Sequence, residues 1–472
     1  MKKLLLLASL SLMIFVTSCS NDDTDEGQVN AENVLTGDIT TSRTLTADKI
    51  YTLQGNVYVT GGAVLTIEPG TIIKGDKATK GCLIISRGSK IMAAGTAQKP
   101  IVFTSSASAG SRSQGDWGGV ILLGKAQNNI GTSVLIEGVT DAGDKSKHGG
   151  TENADNSGVF QYVRIEFAGI ALQPDSEING LTMGSVGSGT TIDHIEVYRS
   201  GDDAYEWFGG TVNCKYLLAI DSWDDDFDSD NGFSGKVQFG LAQRLAATAD
   251  VSGSNGFESD NLSSGDGSTP QTTAIFSNMT YLGPKESATP PTINANFQHG
   301  AQIRRNSSIS ILNSVFAGAV DGVYIDDERG AATANSSTNL LADRAVFANN
   351  IIFGTRNAAV KASVAKLAEV TAKITAVNLI DAGLYAGTIY VDPYKFAPDL
   401  AAGTRSGTPN FLLSTTGTNP AAAGATWTGK TADAYFTQVA FKGAFGPTDN
   451  WAAGWANFNP QALPYTTPGA VN

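Results

Sequence analysis

A chain of 472 residues with 45 acidic against 32 basic side chains carries a formal net charge of −13. No Lys/Arg-rich run occurs, which makes nucleic acid and anionic lipid headgroups poor partners. Charged residues are only 16% while glycine reaches 53, and Gly, Ser, Thr, Asn and short β-branched runs dominate, the profile of an all-β protein with many tight turns.

The chain opens "MKKLLLLASLSLMIFVTSCSNDDTDEG". Lys2 and Lys3 form a charged n-region and Leu4 to Val16 an apolar stretch too short to span a bilayer as a mature helix. Val16-Thr17-Ser18-Cys19 resembles a bacterial lipobox, which implies removal of residues 1–18 as a lipoprotein signal peptide and lipidation of Cys19, an anchor rather than a span. Loss of two lysines takes the net charge from −13 to −13 − 2 = −15. "SNDDTDEG" resembles the acidic surface-export signal of Bacteroidota lipoproteins, which implies the outer face of the outer membrane; as a plain tether it would be polar too. Residues 19–45 are therefore expected to form an acidic flexible tether. Beyond Cys19 only Cys82 and Cys214 remain, expected as buried free thiols rather than a disulfide.

Periodicity comes next along the chain. Leu65/Ile67, Leu83/Ile85 and Ile101/Phe103 place alternating apolar residues at an offset of 18, the mark of strands with one buried face lying on one another. On that register Gly70 and Gly88 share a corner. Later coils are longer: Ile195-Glu196-Val197-Tyr198 answers Leu217-Leu218-Ala219-Ile220 at an offset of 22, and short strands recur through "VFANNIIFG" at 346–354. Drifting offsets without a Leu/Asn signature, a WD dipeptide or a helix in each repeat predict a right-handed parallel β-helix over 46–355 rather than a leucine-rich repeat or propeller. Residues 356–472 are expected to hold the last coils and a C-terminal cap. Within them 357–378 reads as a short helix or two further strands, and Trp451, Trp455 and Phe458 are expected to cover the last coil; the alternative for these aromatics is a glycan-binding platform.

"SGDDAYEWFGG" at 200–210 and "SWDDDFDSDNG" at 222–232 repeat one acidic phrase. At an offset of 22, Asp202 meets Asp224, Asp203 meets Asp225, Tyr205 meets Phe227 and Glu206 meets Asp228. Neighbouring coils lie ~4.8 Å apart, so each carboxylate pair repels by about 1 kcal/mol in water and by more beside a low-dielectric wall. Solvent screening, protonation or a bound cation would relieve it. Asp224, Asp226, Asp228 and Asp230 alternate, so an extended stretch would present them on one side. Asp226 to Gly232 is similar to a D-x-D-x-D calcium loop but departs from an EF-hand, with its glycine one place late and Val237 where the bidentate glutamate belongs. Asp202, Asp203, Asp224, Asp225, Asp226, Asp228 and Asp230 are the candidate metal ligands, and oxygen-only donors point to Ca²⁺; a solvated acidic face is the competing reading. Ser254 to Asp260 echoes Asp230 to Phe233 24 residues on, a further coil adding Glu258 or Asp260.

The lipobox, "GDWGGVILLG" (115–124), "GDDAYEWFGG", "DDDFD" and "GAFGPTDNWAAGWANF" together resemble a family of parallel β-helix surface lipoproteins found mainly in Bacteroidota. The resemblance covers nearly the whole mature chain and implies shape and location rather than a reaction. The expected function is a non-enzymatic, calcium-stabilised outer-membrane scaffold that binds a glycan or a neighbouring outer-membrane protein such as a transporter. The alternative is a polysaccharide hydrolase or lyase built on the Asp202–Asp230 cluster. Gly201-Asp202-Asp203 resembles the paired aspartates of polygalacturonases, with Asp224 or Asp225 as partner. His299-Gly300 and Arg304/Arg305 lie downstream at a spacing that departs from that family. A lyase would use Ca²⁺ to neutralise a uronate, with Arg199 or Arg244 as base. His148, in a loop, reads as solvated, and no residue is assigned a catalytic role.

Overall fold

Short runs in which every second side chain is apolar have one face to bury, and this chain buries them by stacking coil on coil. The computed structural model describes residues 31–173, 176–290, 292–331, 333–394, 397–399 and 404–472. The leader, Cys19 and the start of the tether lie outside the described residues, and no described helix is long and apolar enough to cross a membrane.

One set of ladders joins 26 strands in a parallel β-helix with three faces. The face that concerns function stacks Cys82–Ile85, Val120–Leu123, Leu181–Gly184, Tyr205–Phe208, Phe227–Asp230, Phe257–Ser259, His299–Ile303, Asp321–Ile325 and Val360–Ala362, each parallel to the next. Longer strands, among them Gly158–Glu166, Thr191–Tyr198 and Asn213–Ile220, bend through a corner and serve the other two faces. The bend falls on a column of left-handed residues: Tyr162, His194, Tyr216, Phe239, Asn278, Asn313 and Asn349, with φ between 49° and 62°. Such φ values are rare for bulky residues. Stacking holds them here, with ring centroids 4.2 Å apart for Tyr162–His194, 4.3 Å for His194–Tyr216 and 5.2 Å for Tyr216–Phe239. The asparagines continue the column by side-chain hydrogen bonds, Asn349 Nδ2 donating to Asn313 Oδ1 at 2.6 Å.

The 22-residue register is the structural one: Ile195 pairs with Leu217 and Tyr198 with Ile220. The 18-residue register is not. Leu65 pairs with Ile91, Leu83 with Val57 and Val120, and Ile101 with Val163. An early coil takes 91 − 65 = 26 residues, so a step of 18 covers two of its three faces and compares strands that never touch. Gly70 and Gly88, both at positive φ, therefore turn different corners.

Three boundaries also move. The expected tether at 19–45 ends earlier, because Val34–Ile39 and Arg43–Leu45 pair with Ile50–Val59 and Val64–Ile67 and bury Leu35, Ile39 and Leu45. The β-helix outlasts residue 355: Val360–Ala362 and Leu379–Asp381 add to it. Between them the helix Leu367–Val377 sends Val370 and Ile374 into the core, so 357–378 is one strand and one helix, and that helix closes the apolar interior. The C-terminal segment is consequently not the end cap. It runs back along the flank as a strap, Thr426 N donating to Asn313 Oδ1 at 2.9 Å, Tyr435 OH to the Cys214 carbonyl at 2.7 Å, Asn457 N to Glu196 Oε2 at 2.8 Å and Gln461 Nε2 to the Arg112 carbonyl at 2.6 Å. Trp451 and Trp455 pack on the aromatic corner at His194, and Phe458 is buried with them. Stacked rings left along a bend offer a larger apolar surface than the last coil does, and the strap's tryptophans cover it. Cys82 and Cys214 are buried and unbonded to each other.

Coil spacing leaves no room for side chains at some crossings. Gly158 sits at φ +116°, and a Cβ there would lie 1.8 Å from the Ile91 carbonyl oxygen. Gly158→Ala is expected to destabilise the fold by about 3 kcal/mol or more, read as a lowered urea midpoint.

Candidate functional site

On the functional face the side chains alternate in and out along each strand. Inward, Tyr205, Phe227 and Phe257 stack with centroids 5.7 and 5.0 Å apart. Outward, one register column reads Thr182, Glu206, Asp228, Glu258, Gln302, Tyr324, Lys361. A second column lies in the turn before each strand. There Asp203 Oδ1 accepts from Asp225 N at 2.7 Å, Asp225 Oδ1 from Asn255 N, and Asn255 Oδ1 from His299 N at 3.1 Å. Asp203 and Asp225 thus each spend one oxygen tying coil to coil.

The two columns meet around a cavity of 230 Å³. Nine carboxylates line it, those of Glu137, Glu177, Asp202, Asp203, Glu206, Asp224, Asp225, Asp228 and Glu258, against one cation, Arg304. Glu137 comes from a long insertion after Val120–Leu123. Ile136, Val139 and Ile178 pin this wall down by packing on Ile121, Leu123 and Phe208. Arg304 closes the other end, ion-paired to Glu258 and, through Nε at 2.8 Å, to Asp260 Oδ1. An adjoining groove of 630 Å³ shares Glu177, Asp202, Asp224 and Ser252 with the cavity and carries Trp223, 40% exposed, on its wall.

Burial is the main force on the acidity of these groups, and mutual repulsion adds to it. Asp202, Asp203, Glu206, Asp225 and Glu258 are all driven well above the usual carboxylate range. Burial raises Asp224 to about 6, a hydrogen bond from Ser252 opposing it. Burial together with Asp260 raises Asp228 to about 7, Arg304 opposing. Asp224 Oδ1 and Asp228 Oδ1 are buried without a hydrogen-bond partner. Three carboxylate sets can each present ligand atoms within 4.8 Å of one another: Asp202/Asp203/Asp224, Asp203/Glu206/Asp228 and Asp225/Asp228/Glu258. Buried, unpaired hard oxygens in this number suit a divalent cation of the calcium type.

Of the seven aspartates singled out by spacing, Asp202, Asp203, Asp224, Asp225 and Asp228 line the cavity. Asp226 does not. It turns inward and pairs with Arg244 at 3.0 Å, both side chains fully buried. The alternation that placed it with Asp224 and Asp228 needs extended backbone, and the strand begins only at Phe227. Asp230 lies outside the lining as well, its Oδ1 accepting from Asn231 N at 2.6 Å. Arg244, locked against Asp226, and Arg199, largely buried, do not reach the pocket, while Arg304 does. Glu258 joins the column on a register of 30 residues (258 − 228), not the 24 of the sequence echo. Asp260 is held by Arg304 and Arg305. His148 is buried against Ser185 Oγ at 2.9 Å rather than solvated. No spacing in the sequence connects Glu137 or Glu177 to the pocket; only the fold of the insertion does.

A parallel β-helix with a carboxylate pocket on one face defines the class of protein. The chain belongs to the pectate-lyase-like β-helix domain family, which matches residues 37–389. Among solved structures it is similar to the Dettilon tailspike protein, with 9% identity and a TM-score of 0.24 over 68% of this chain. It spans 62% of the tailspike chain, and a likeness of that degree carries no argument about activity. No curated protein matches the chain.

Proposed function

We propose that the chain is a calcium-holding β-helix scaffold, carried on the outer-membrane surface by lipidated Cys19, that binds an extracellular glycan or a neighbouring outer-membrane protein. The observation that carries the reading is the pocket of nine carboxylates against one arginine, a charge density that a stable fold sustains only with protons or cations in place. Trp223 beside Asp202 and Asp224 in the groove favours a glycan, since an exposed indole next to oxygen donors suits a sugar face and its hydroxyls.

Family membership supports a second reading, a polysaccharide-active enzyme. The Asp202/Asp224 pair opening on the groove would supply the acid and base of a hydrolase. A lyase is less well served, because Arg304, the arginine in the pocket, is already paired with Glu258 and Asp260 and Arg244 is sealed away.

The test is recovery of partners from detergent-solubilised outer membranes with and without chelator, alongside assay of acidic and neutral polysaccharides. The scaffold reading expects calcium-dependent retention of one partner or glycan, at least tenfold weaker for Trp223→Ala, with no chain cleavage. Release of reducing ends or unsaturated sugars by the wild type would replace it with the enzyme reading.

A further inference from the structure

We infer that the pocket holds two divalent cations at once, one at each end, an inference that rests on the calcium reading above. The three carboxylate sets are not equivalent. Asp202/Asp203/Asp224 and Asp225/Asp228/Glu258 share no residue, whereas Asp203/Glu206/Asp228 borrows one carboxylate from each. The outer sets can be filled together, and an ion in the middle set competes with both. Each outer set also contains one of the buried carboxylate oxygens that lack a partner, Asp224 Oδ1 in the first and Asp228 Oδ1 in the third. These oxygens have given up water and received nothing in exchange, which is the signature of a missing ligand rather than of a solvated acidic surface.

Charge points the same way. Nine carboxylates and one arginine give −9 + 1 = −8 when all are ionised. One divalent ion leaves −6, and two leave −4, spread over the solvent-facing rim at Glu137, Glu177 and Asp202. The two ends differ in character. The first set shares Asp202 and Asp224 with the open groove, so water or a bound ligand's oxygens complete its coordination. The third is flanked by the Glu258–Arg304 ion pair and lies against the wall that Asn255 and Gly253 build, Asn255 Nδ2 donating to Glu258 Oε2 at 3.3 Å. Asp203 and Asp225 carry backbone hydrogen bonds between coils, so substituting them would confound ligation with folding. Asp202 and Glu258 are the informative positions.

The experiment is to strip the full chain with chelator, titrate it with calcium chloride at pH 7.5, and count bound ions by calorimetry and by native mass spectrometry. The wild type is expected to bind two. Asp202→Asn and Glu258→Gln are each expected to bind one, and the double variant none. If a variant does not fold, the wild-type count alone decides. One ion in the wild type, or three, overturns the paired site while leaving the calcium reading in place. No ion overturns both.

Discussion

Freed of divalent cations, the protein is expected to lose stability as pH rises from about 5 to 8, and calcium is expected to abolish that loss. The direction follows from carboxylates whose folded-state acidity is weakened. A group whose folded pKa stands above its unfolded value contributes stability below the unfolded pKa, and that contribution is lost as pH rises through the folded one. Asp224, lifted from 3.8 to about 6, and Asp228, lifted to about 7, keep their protons in the fold at pH 5 and surrender them by pH 8. At about 1.4 kcal/mol per pH unit and group, these two alone weaken the fold by about 4 kcal/mol across that window. Most acidic proteins do not behave so, since paired surface carboxylates lose stability on acidification instead. A bound cation replaces the protons. At a free concentration of a hundred times Kd each ion contributes about 2.7 kcal/mol, a Tm rise of about 5 to 10 °C for two ions at pH 8 in a domain of this size. At pH 5, where protons compete for the same oxygens, the rise is expected to vanish. Thermal melts at pH 5, 6.5 and 8, with calcium and without, read this out. Melting indifferent to both pH and calcium would mean that the pocket is an inert, solvated patch.

The second large effect is expected at the strap. Arg164 is fully buried on the strand Gly158–Glu166. It donates to the Trp455 carbonyl and to Asn472 Oδ1, each at 3.1 Å, to Tyr465 OH at 3.2 Å and to the Val471 carbonyl, and it pairs with Glu166 Oε1 at 3.3 Å. Glu196 lies in the same network. Burial raises it to about 8, with Arg164 opposing, and its Oε2 accepts from Asn457 N. Arg164→Met keeps most of the volume and removes the charge. It leaves two buried glutamates facing each other and the strap's last turns without their donor, at a cost of about 3–5 kcal/mol. The loss is expected to be local first. Hydrogen exchange and limited proteolysis should show residues 455–472 opening while the strands at 205–230 stay protected. Unchanged protection of that segment in the variant would mean that the tryptophans alone hold the strap.

What the sequence made legible is what a fixed offset preserves. Tyr205/Phe227 and Glu206/Asp228 are in register because two successive coils there have equal length and no insertion. The same reasoning failed at Leu65/Leu83, where a three-faced coil lets strands of different faces mimic a repeat. It failed at Asp226, where alternation was extended one residue beyond the strand that justifies it. Glu137 and Glu177 were invisible because insertions set their place, and an insertion keeps no register with the coils. The strap was mistaken for an end cap because tryptophans near a C-terminus advertise burial without saying what they cover. The surface that receives them, the stacked rings of Tyr162, His194 and Tyr216, arises only once the corner residues are aligned by the helix.

Diffraction from crystals grown with calcium chloride at pH 7.5 addresses the pocket most directly. A cation centre predicts spherical density within 2.3–2.6 Å of Asp224 Oδ1 and of Asp228 Oδ1, each completed by neighbouring carboxylates and water. Density for water alone, with those oxygens hydrogen-bonded to protonated neighbours as acid–acid pairs, would contradict it.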